Sequence, residues 1–327
     1  MTAKDRPLII IGGPTGVGKS DIAIKLAKRI NGEIVSADSV QVYRGLDIGS
    51  AKISPKDMQG VKHHLIHILN PDEQFDVVAF KRYATKAIDE ILAKGCIPIV
   101  TGGTAFYIQA LLYGVDLESE EKDLNYRQKL ESEIKCEEDE LKLFKRLEEL
   151  DPEYAKKAHY HNVKRVIRAL EYIHNTGNKF SEYNAAQAAR EAEYNFAYFA
   201  LNANRDTVYG RINERVDKMI ELGLVDEVKG LLDKGYSSSL NSMSSIGYKE
   251  ICDYLEGRMS LTESVDMIKQ HSRNYAKRQL TWFRREQDVI WINKNEFDYD
   301  EDKILKFMLD ELKKRNIDYI LVDKNYV

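Results

Sequence analysis

The sequence predicts an α/β fold, a parallel sheet with helices on both faces, interrupted by a mainly helical insertion domain. Three observations predict it. Short apolar, β-branched runs that end in polar residues or glycine alternate with helical periodicity, which implies right-handed crossovers and a parallel sheet. A charged, almost glycine-free stretch over 117–194 breaks that alternation. A strand signal returns at 195–201 (NFAYFAL), so 1–116 and 195–327 form the core domain and 117–194 the insert. With 327 residues and 43% hydrophobic content, such a core can be buried without metals or cross-links.

Pro7–Gly12 is the first strand, because LIII is apolar and β-branched and glycines end it. Over 21–30, Ile22, Ile24, Leu26, Ala27 and Ile30 recur at helical spacing. GEIVSADS at 32–39 reads as the second strand, and CIPIVTGGT at 96–104 as the third, after a helix over 75–94. Ligands of such sheets bind beyond the carboxyl ends of the strands, where these polar ends converge. In the insert, DPEY at 151–154 offers Asp as N-cap and Pro at the first helical position. Beyond the insert, helices follow over 205–222, 225–234, 246–255 and 261–286. DVIWIN at 288–293 is the last strand, and 302–315 a final amphipathic helix.

Cys96, Cys136 and Cys252 lie far apart with no CxxC pair and no His at metal-ligand spacing, so neither a disulfide framework nor a zinc site is indicated. No apolar run approaches the roughly 18 residues that span a bilayer, so the expectation is a soluble, cytoplasmic chain. The net charge of −4 hides segregation: acids dominate 118–149, whereas 267–285 holds six Lys/Arg and no Asp or Glu. Net charge therefore does not exclude a nucleic-acid partner.

GPTGVGKS at 13–20 fits the phosphate-binding pattern G-x-x-x-x-G-K-S/T, between a predicted strand and a predicted helix. Gly13, Pro14, Thr15, Gly16, Val17 and Gly18 would curl backbone N–H groups around phosphate oxygens. The helix N-terminus adds partial positive charge, Lys19 neutralises the anion and Ser20 can ligate Mg²⁺. The sheet is thus P-loop NTPase-like. Its third strand ends in Thr101, Gly102 and Gly103 without the metal-binding carboxylate of motor and switch enzymes, which weakens ATP hydrolysis as the activity. Asp38, at the end of the second strand, supplies a carboxylate instead.

Other residues carry two readings each. Asp38 could cap a turn, bind Mg²⁺ through water or act as a general base, and from its neighbours alone capping fits at least as well. The GGT at 102–104 is either a tight turn or a close approach to ligand. Arg211 and Arg215 share a helix face, which surface statistics read as solvated and paired with Glu214 or Asp217. Lys269, Arg273 and Lys277 repeat every four residues among Tyr275, Trp282 and Phe283, which suits either an RNA backbone or a plain surface stripe. His63, His64 and His67 lack a nearby carboxylate and read as packing or hydrogen bonding rather than metal ligands.

Together these pieces resemble the tRNA dimethylallyltransferases, or tRNA isopentenyltransferases. The matching segments are GPTGVGKS (13–20), SADSVQVYRGLDIGSAK (36–52), HHLI (63–66), GGTAFYIQALLYG (102–114), KRVIRALE (164–171), RINERVDKMIELGLVDEV (211–228), SSIGYKEI (244–251) and AKRQLTWFR (276–284), in family order over nearly the whole chain. The resemblance implies transfer of a dimethylallyl group from dimethylallyl diphosphate to N6 of adenosine 37 in tRNA. It further implies that 13–20 bind the diphosphate with Mg²⁺ on Ser20, that Arg215 contacts it from the far side, and that Asp38 takes the N6 proton. Thr104, Ser39, Val40 and Gln41 would meet the target base. Arg127, Asn162, Val163, Lys164, Arg165, Val166, Ser244, Ser245, Ile246, Gly247, Tyr248, Lys249, Lys277 and Arg278 would contact the anticodon stem-loop.

Departures are Lys62 and His67 flanking HHLI, and the lack of any CxxC after Glu286, which favours the bacterial type over eukaryotic members with a zinc finger. The insert is acidic for an RNA-facing domain, so its acids are expected on its outer face. The working state is expected to be a monomer. Rivals are an adenylate isopentenyltransferase acting on free nucleotide, a P-loop small-molecule kinase and a non-catalytic RNA-binding module. Intact Lys19, Ser20 and Asp38 speak against the last.

Overall fold

In the computed structural model, residues 6–114, 124–188, 190–319 and 321–322 are described. The strands β1 (Pro7–Gly12), β2 (Gly32–Ser36), β3 (His63–His64), β4 (Ile97–Thr101), β5 (Asn195–Asn202) and β6 (Val289–Asn293) form a sheet in the order β3-β2-β4-β1-β5-β6. Every pairing is parallel. Register decides where the site lies: Thr101 pairs with Ile11 on one side and with Ser36 on the other. The chain therefore leaves β1, β2 and β4 at one height and side by side.

Both faces of the sheet are covered. Ile9, Ile11, Phe199 and Leu201 pack with Ile22, Leu26 and Ile30 of α1 (Lys19–Ile30) and with Ile304, Leu305, Met308 and Leu312 of α13 (Glu301–Lys314). The alternate residues Leu8, Ile10 and Tyr198 are equally buried, as the two-residue period of a strand requires. Tyr198 meets Phe283 of α12 (Leu261–Phe283) edge-on at 6.3 Å. On α2 (Val77–Ala93), Phe80 stacks on Tyr107 of α3 (Ala105–Tyr113) with ring centroids 4.6 Å apart. Burying each such side chain contributes about 1.5–3 kcal/mol. Three more helices complete this unit: α9 (Arg205–Glu221), α10 (Leu224–Asp233) and α11 (Tyr248–Leu255).

The chain divides into two compact units, 1–112 with 193–327, and 113–192. The second unit is built from α4 (Leu124–Ser132), α5 (Glu137–Leu150), α6 (Pro152–Ala155), α7 (Val163–Thr176) and α8 (Phe180–Ala188). Its own core gathers Leu130, Leu143, Leu147, Ile167, Leu170 and Phe180. Asp151 caps α6 by accepting from the Tyr154 N–H at 3.1 Å, with Pro152 at the first position, and its other oxygen accepts from the Ser181 N–H at 2.7 Å. The expected start of the insertion at 117, and the acids just after it, lie outside the described residues. In the second unit Glu137 is exposed and accepts from the Tyr160 hydroxyl at 2.9 Å, and His161 lies 2.9 Å from Glu140. No helix of the described residues is long and apolar enough to cross a membrane.

Candidate functional site

The loop between β1 and α1 owes its path to glycine. Gly13 has φ 138°, and a Cβ there would stand 2.5 Å from the Leu201 carbonyl oxygen of β5. A side chain would push the loop off the sheet. Gly18 is the left-handed cap of α1, so the first helical N–H groups open onto the loop. Lys19 folds back and donates to the Pro14 carbonyl at 2.9 Å. Lys19 is half-buried and lines a cavity. Burial, and then the Arg215 charge, push its pKa down to about 7, with Asp38 pulling the other way. An incoming anion reverses that balance. Arg215, from α9, donates to the Thr15 hydroxyl at 3.3 Å and so closes the loop from the opposite side. Ser20 is exposed at the start of α1. Among the described residues Glu214 does not pair with Arg215, and Asp217 pairs with Lys269 at 2.6 Å.

Beyond β2, the strand expected to run to 39 stops at Ser36 because Asp38 turns the chain. Its Oδ1 accepts from the N–H groups of Val40 at 2.8 Å and Gln41 at 3.1 Å. The capping reading is therefore right, and it leaves Oδ2 without a hydrogen bond among the described residues. One carboxylate can cap with one oxygen and accept a proton with the other.

Three positioning groups escape a reading of motifs. Gln279, buried on α12, accepts from the Thr15 N–H at 2.9 Å and donates to the Gly103 carbonyl at 2.9 Å, tying the phosphate loop to the turn after β4. A Cβ on Gly103 would lie 2.0 Å from the Gln279 amide nitrogen, so this glycine serves side-chain approach rather than ligand approach. Tyr275 is the second. Burial and the Asp38 charge push its phenol pKa up, against opposing hydrogen bonds to Thr104 and Gln279. Thr104 thus reaches the cavity through Tyr275 and is not itself part of the wall. Glu250 is the third: it accepts from the Gly247 N–H at 2.7 Å and holds His271 at 2.6 Å. Tyr275 stood out in the sequence only as an aromatic of the basic stripe, and the long-range bonds of Gln279 to Thr15 and of Glu250 to His271 left no trace in spacing.

A cavity of about 790 Å³ opens at the carboxyl ends of β1, β2 and β4. Its wall includes Thr15, Gly16, Gly18, Lys19 and Ser20 at one end, and Asp38, Ser39, Val40, Gln41, Tyr275, Arg278 and Gln279 at the other. Arg215, Ser244, Ser245 and Ile246 also line it, as does the loop 49–53. Two expected contacts need revision. Tyr248 is fully buried with its hydroxyl on Glu227 at 2.6 Å, and Val166 is buried in the core of the second unit, so neither side chain is available to RNA. Gly247 is buried too, whereas Lys249, Lys277, Arg278, Asn162, Lys164 and Arg165 are exposed, and Val163 is half-buried. Arg127 is paired with the buried Glu171 at 3.1 Å. The basic stripe on α12 is split, because Lys269 pairs with Asp217 and Arg273 donates to Asn213 at 2.7 Å. Only its later part, Lys277 and Arg278, stays exposed, with the Arg278 guanidinium 5.6 Å over the Tyr275 ring. His63 is hydrogen-bonded to the Val61 carbonyl at 2.9 Å, and, against the expectation of no nearby carboxylate, His64 lies 2.6 Å from Glu33 and His67 3.8 Å from Asp47. Among the described residues no cluster of three His, Cys, Asp or Glu could hold a metal unaided.

Chemically, one end of the cavity can hold a multiply charged anion on backbone N–H groups and two cations, and the other presents a free carboxylate oxygen within the same space. Known proteins resemble this chain in sequence and fold. A family model described as IPP transferase matches residues 41–286. The tRNA dimethylallyltransferase of Lachnoclostridium phytofermentans is 50% identical over 312 residues, covering 95% of this chain and 99% of its own. The crystal structure of the tRNA isopentenylpyrophosphate transferase from Bacillus halodurans aligns with a TM-score of 0.71 at 42% identity, over 95% of this chain and 98% of that one. A eukaryotic dimethylallyltransferase, captured crystallographically acting on tRNA, aligns with a TM-score of 0.79 at 27% identity, over 98% of this chain and 81% of its own. With a match across most of its length and relatives half identical to it end to end, the chain belongs to the IPP transferase family, that of the tRNA dimethylallyltransferases.

Proposed function

We propose that this protein transfers the dimethylallyl group of dimethylallyl diphosphate to N6 of adenosine 37 in tRNA, releasing pyrophosphate. The observation that carries the reading is the presence, on one cavity wall, of Lys19, Arg215 and an Asp38 carboxylate with one oxygen to spare. The loop amides, Lys19 and Arg215 hold the diphosphate and stabilise the charge that grows on its bridging oxygen as the C1–O bond breaks. The N6–C1 bond forms as N6 gives its proton to Asp38 Oδ2, within reach of a general base. Adenosine must leave its stack to enter, which costs a few kcal/mol and is easiest in a single-stranded loop.

Ser20 and the neighbouring carboxylates offer few protein ligands, which fits Mg²⁺, an ion that keeps waters and leans on substrate phosphates. When bound, it would add neutralisation of the leaving diphosphate. The exposed Asn162, Lys164 and Arg165 of the second unit, with Lys249, Lys277 and Arg278, suit the RNA backbone. A tRNA substrate suits the cytoplasm.

The test is mass spectrometry of tRNA nucleosides after incubation with dimethylallyl diphosphate and Mg²⁺, beside reactions offering AMP as acceptor or ATP in place of the donor. N6-dimethylallyladenosine in tRNA alone is expected. Prenylated AMP with unmodified tRNA, or phosphoryl transfer from ATP, would replace this reading with one of its rivals.

A further inference from the structure

We infer that Glu227 is a positioning residue for the base-accepting end of the cavity, bolting loop 46–52 to α11 so that Gln41 is fixed beside Asp38. The inference rests on the function proposed above. Glu227 lies in the first turn of α10, outside the cavity wall. Its Oε2 accepts from the N–H groups of Asp47 at 3.1 Å and Ile48 at 2.7 Å. Its Oε1 accepts from the Gly49 N–H at 3.2 Å and the Tyr248 hydroxyl at 2.6 Å. A carboxylate that takes three successive backbone donors and a phenol is saturated, and charge-assisted bonds of this kind are about twice as strong as neutral ones. Tyr248 stays a donor, since burial and the Glu227 charge push its pKa up.

Packing serves the same joint. A Cβ on Gly49 would come within 2.6 Å of the Tyr248 ring, so the loop backbone lies flat on a buried aromatic that no larger residue would allow. The loop is next linked to the site. Gln41 Nε2 donates to the Ser50 carbonyl at 3.3 Å and the Ala51 carbonyl at 3.4 Å, and the Gln41 N–H donates to Asp38 Oδ1 at 3.1 Å. With its amide nitrogen committed to two carbonyls, Gln41 keeps Oε1 as its free end, an acceptor suited to an amino-bearing base edge. Hydrogen bonds at both ends of the 47–51 backbone thus connect Glu227 to the residue that faces the acceptor. None of it touches the phosphate loop.

Glu227→Gln keeps the shape but sets an amide donor against backbone donors. Steady-state kinetics on tRNA and on dimethylallyl diphosphate should show kcat/KM for tRNA falling by about 10²-fold while diphosphate affinity stays within about twofold. Tyr248→Phe, which loses one bond of the joint, should fall about fivefold with the same asymmetry. It decides the matter should Glu227→Gln fail to fold. Equal losses on both substrates, or normal tRNA kinetics, would overturn the inference. Amide hydrogen exchange provides a readout free of the functional reading: 41–52 should exchange at least about tenfold faster in Glu227→Gln, with 13–18 unchanged. Unchanged protection at 41–52 would overturn the joint even if the wild-type protein proved not to prenylate tRNA, an outcome that by itself sinks only the proposed function.

Discussion

The two ends of the cavity are built by different means. The phosphate end is largely local, made by consecutive residues 13–20 whose path glycines allow and closed by Arg215 from α9, and its side chains supply charge more than shape. The opposite end is assembled from 38–41, the turn after β4, 244–246 and 275–279; Glu227 and Glu250 hold it from behind, and Gln279 ties it to Thr15 of the phosphate loop. In the first, losing a side chain should remove electrostatics and spare the fold. In the second, it should loosen geometry, with stability and rate falling together.

The sharpest contrast comes from Lys19→Met, for which we expect a loss of about 10³-fold in kcat with no loss of melting temperature, because a desolvated ammonium is removed along with its catalytic charge. Stopped-flow turnover beside calorimetric melting checks it. Gln279→Leu should do the opposite. It strands the part-buried Thr15 N–H and Gly103 carbonyl, costs about 1–3 kcal/mol of stability and slows turnover by about tenfold. A smaller effect follows from the Lys19 pKa of about 7. A bound diphosphate raises that pKa, so above pH 7 binding must take up a proton and affinity should fall by up to about tenfold per pH unit, with no such loss toward neutrality. Titration calorimetry in two buffers of different ionisation enthalpy reads the proton directly. The smallest change is expected for Lys277→Ala with Arg278→Ala: several-fold weaker tRNA binding and a log–log salt slope reduced by about two, seen by filter binding across salt.

How much was legible follows the same division. The parallel sheet, the phosphate loop and Asp38 showed in the sequence because alternating apolar runs and a contiguous motif are local signals. Helix ends were off by one to a few residues, as at α12, which stops at Phe283 rather than 286. Gln279 and Glu227 stayed hidden, since an ordinary glutamine on a helix and an ordinary glutamate in a first turn reveal nothing until the fold brings Thr15 and Gly49 to them. The basic stripe misled for the converse reason. Its period was real, but Lys269 and Arg273 face α9 and are spent on Asp217 and Asn213.

The central claim is that Asp38 works from across the cavity with the oxygen its cap leaves free. Single-turnover prenylation by Asp38→Asn, with tRNA and dimethylallyl diphosphate both bound, tests it most directly. Asparagine keeps the Oδ1 cap, so both affinities should hold while the chemical step slows by at least about 10²-fold. A single-turnover rate near that of the wild type would contradict the account.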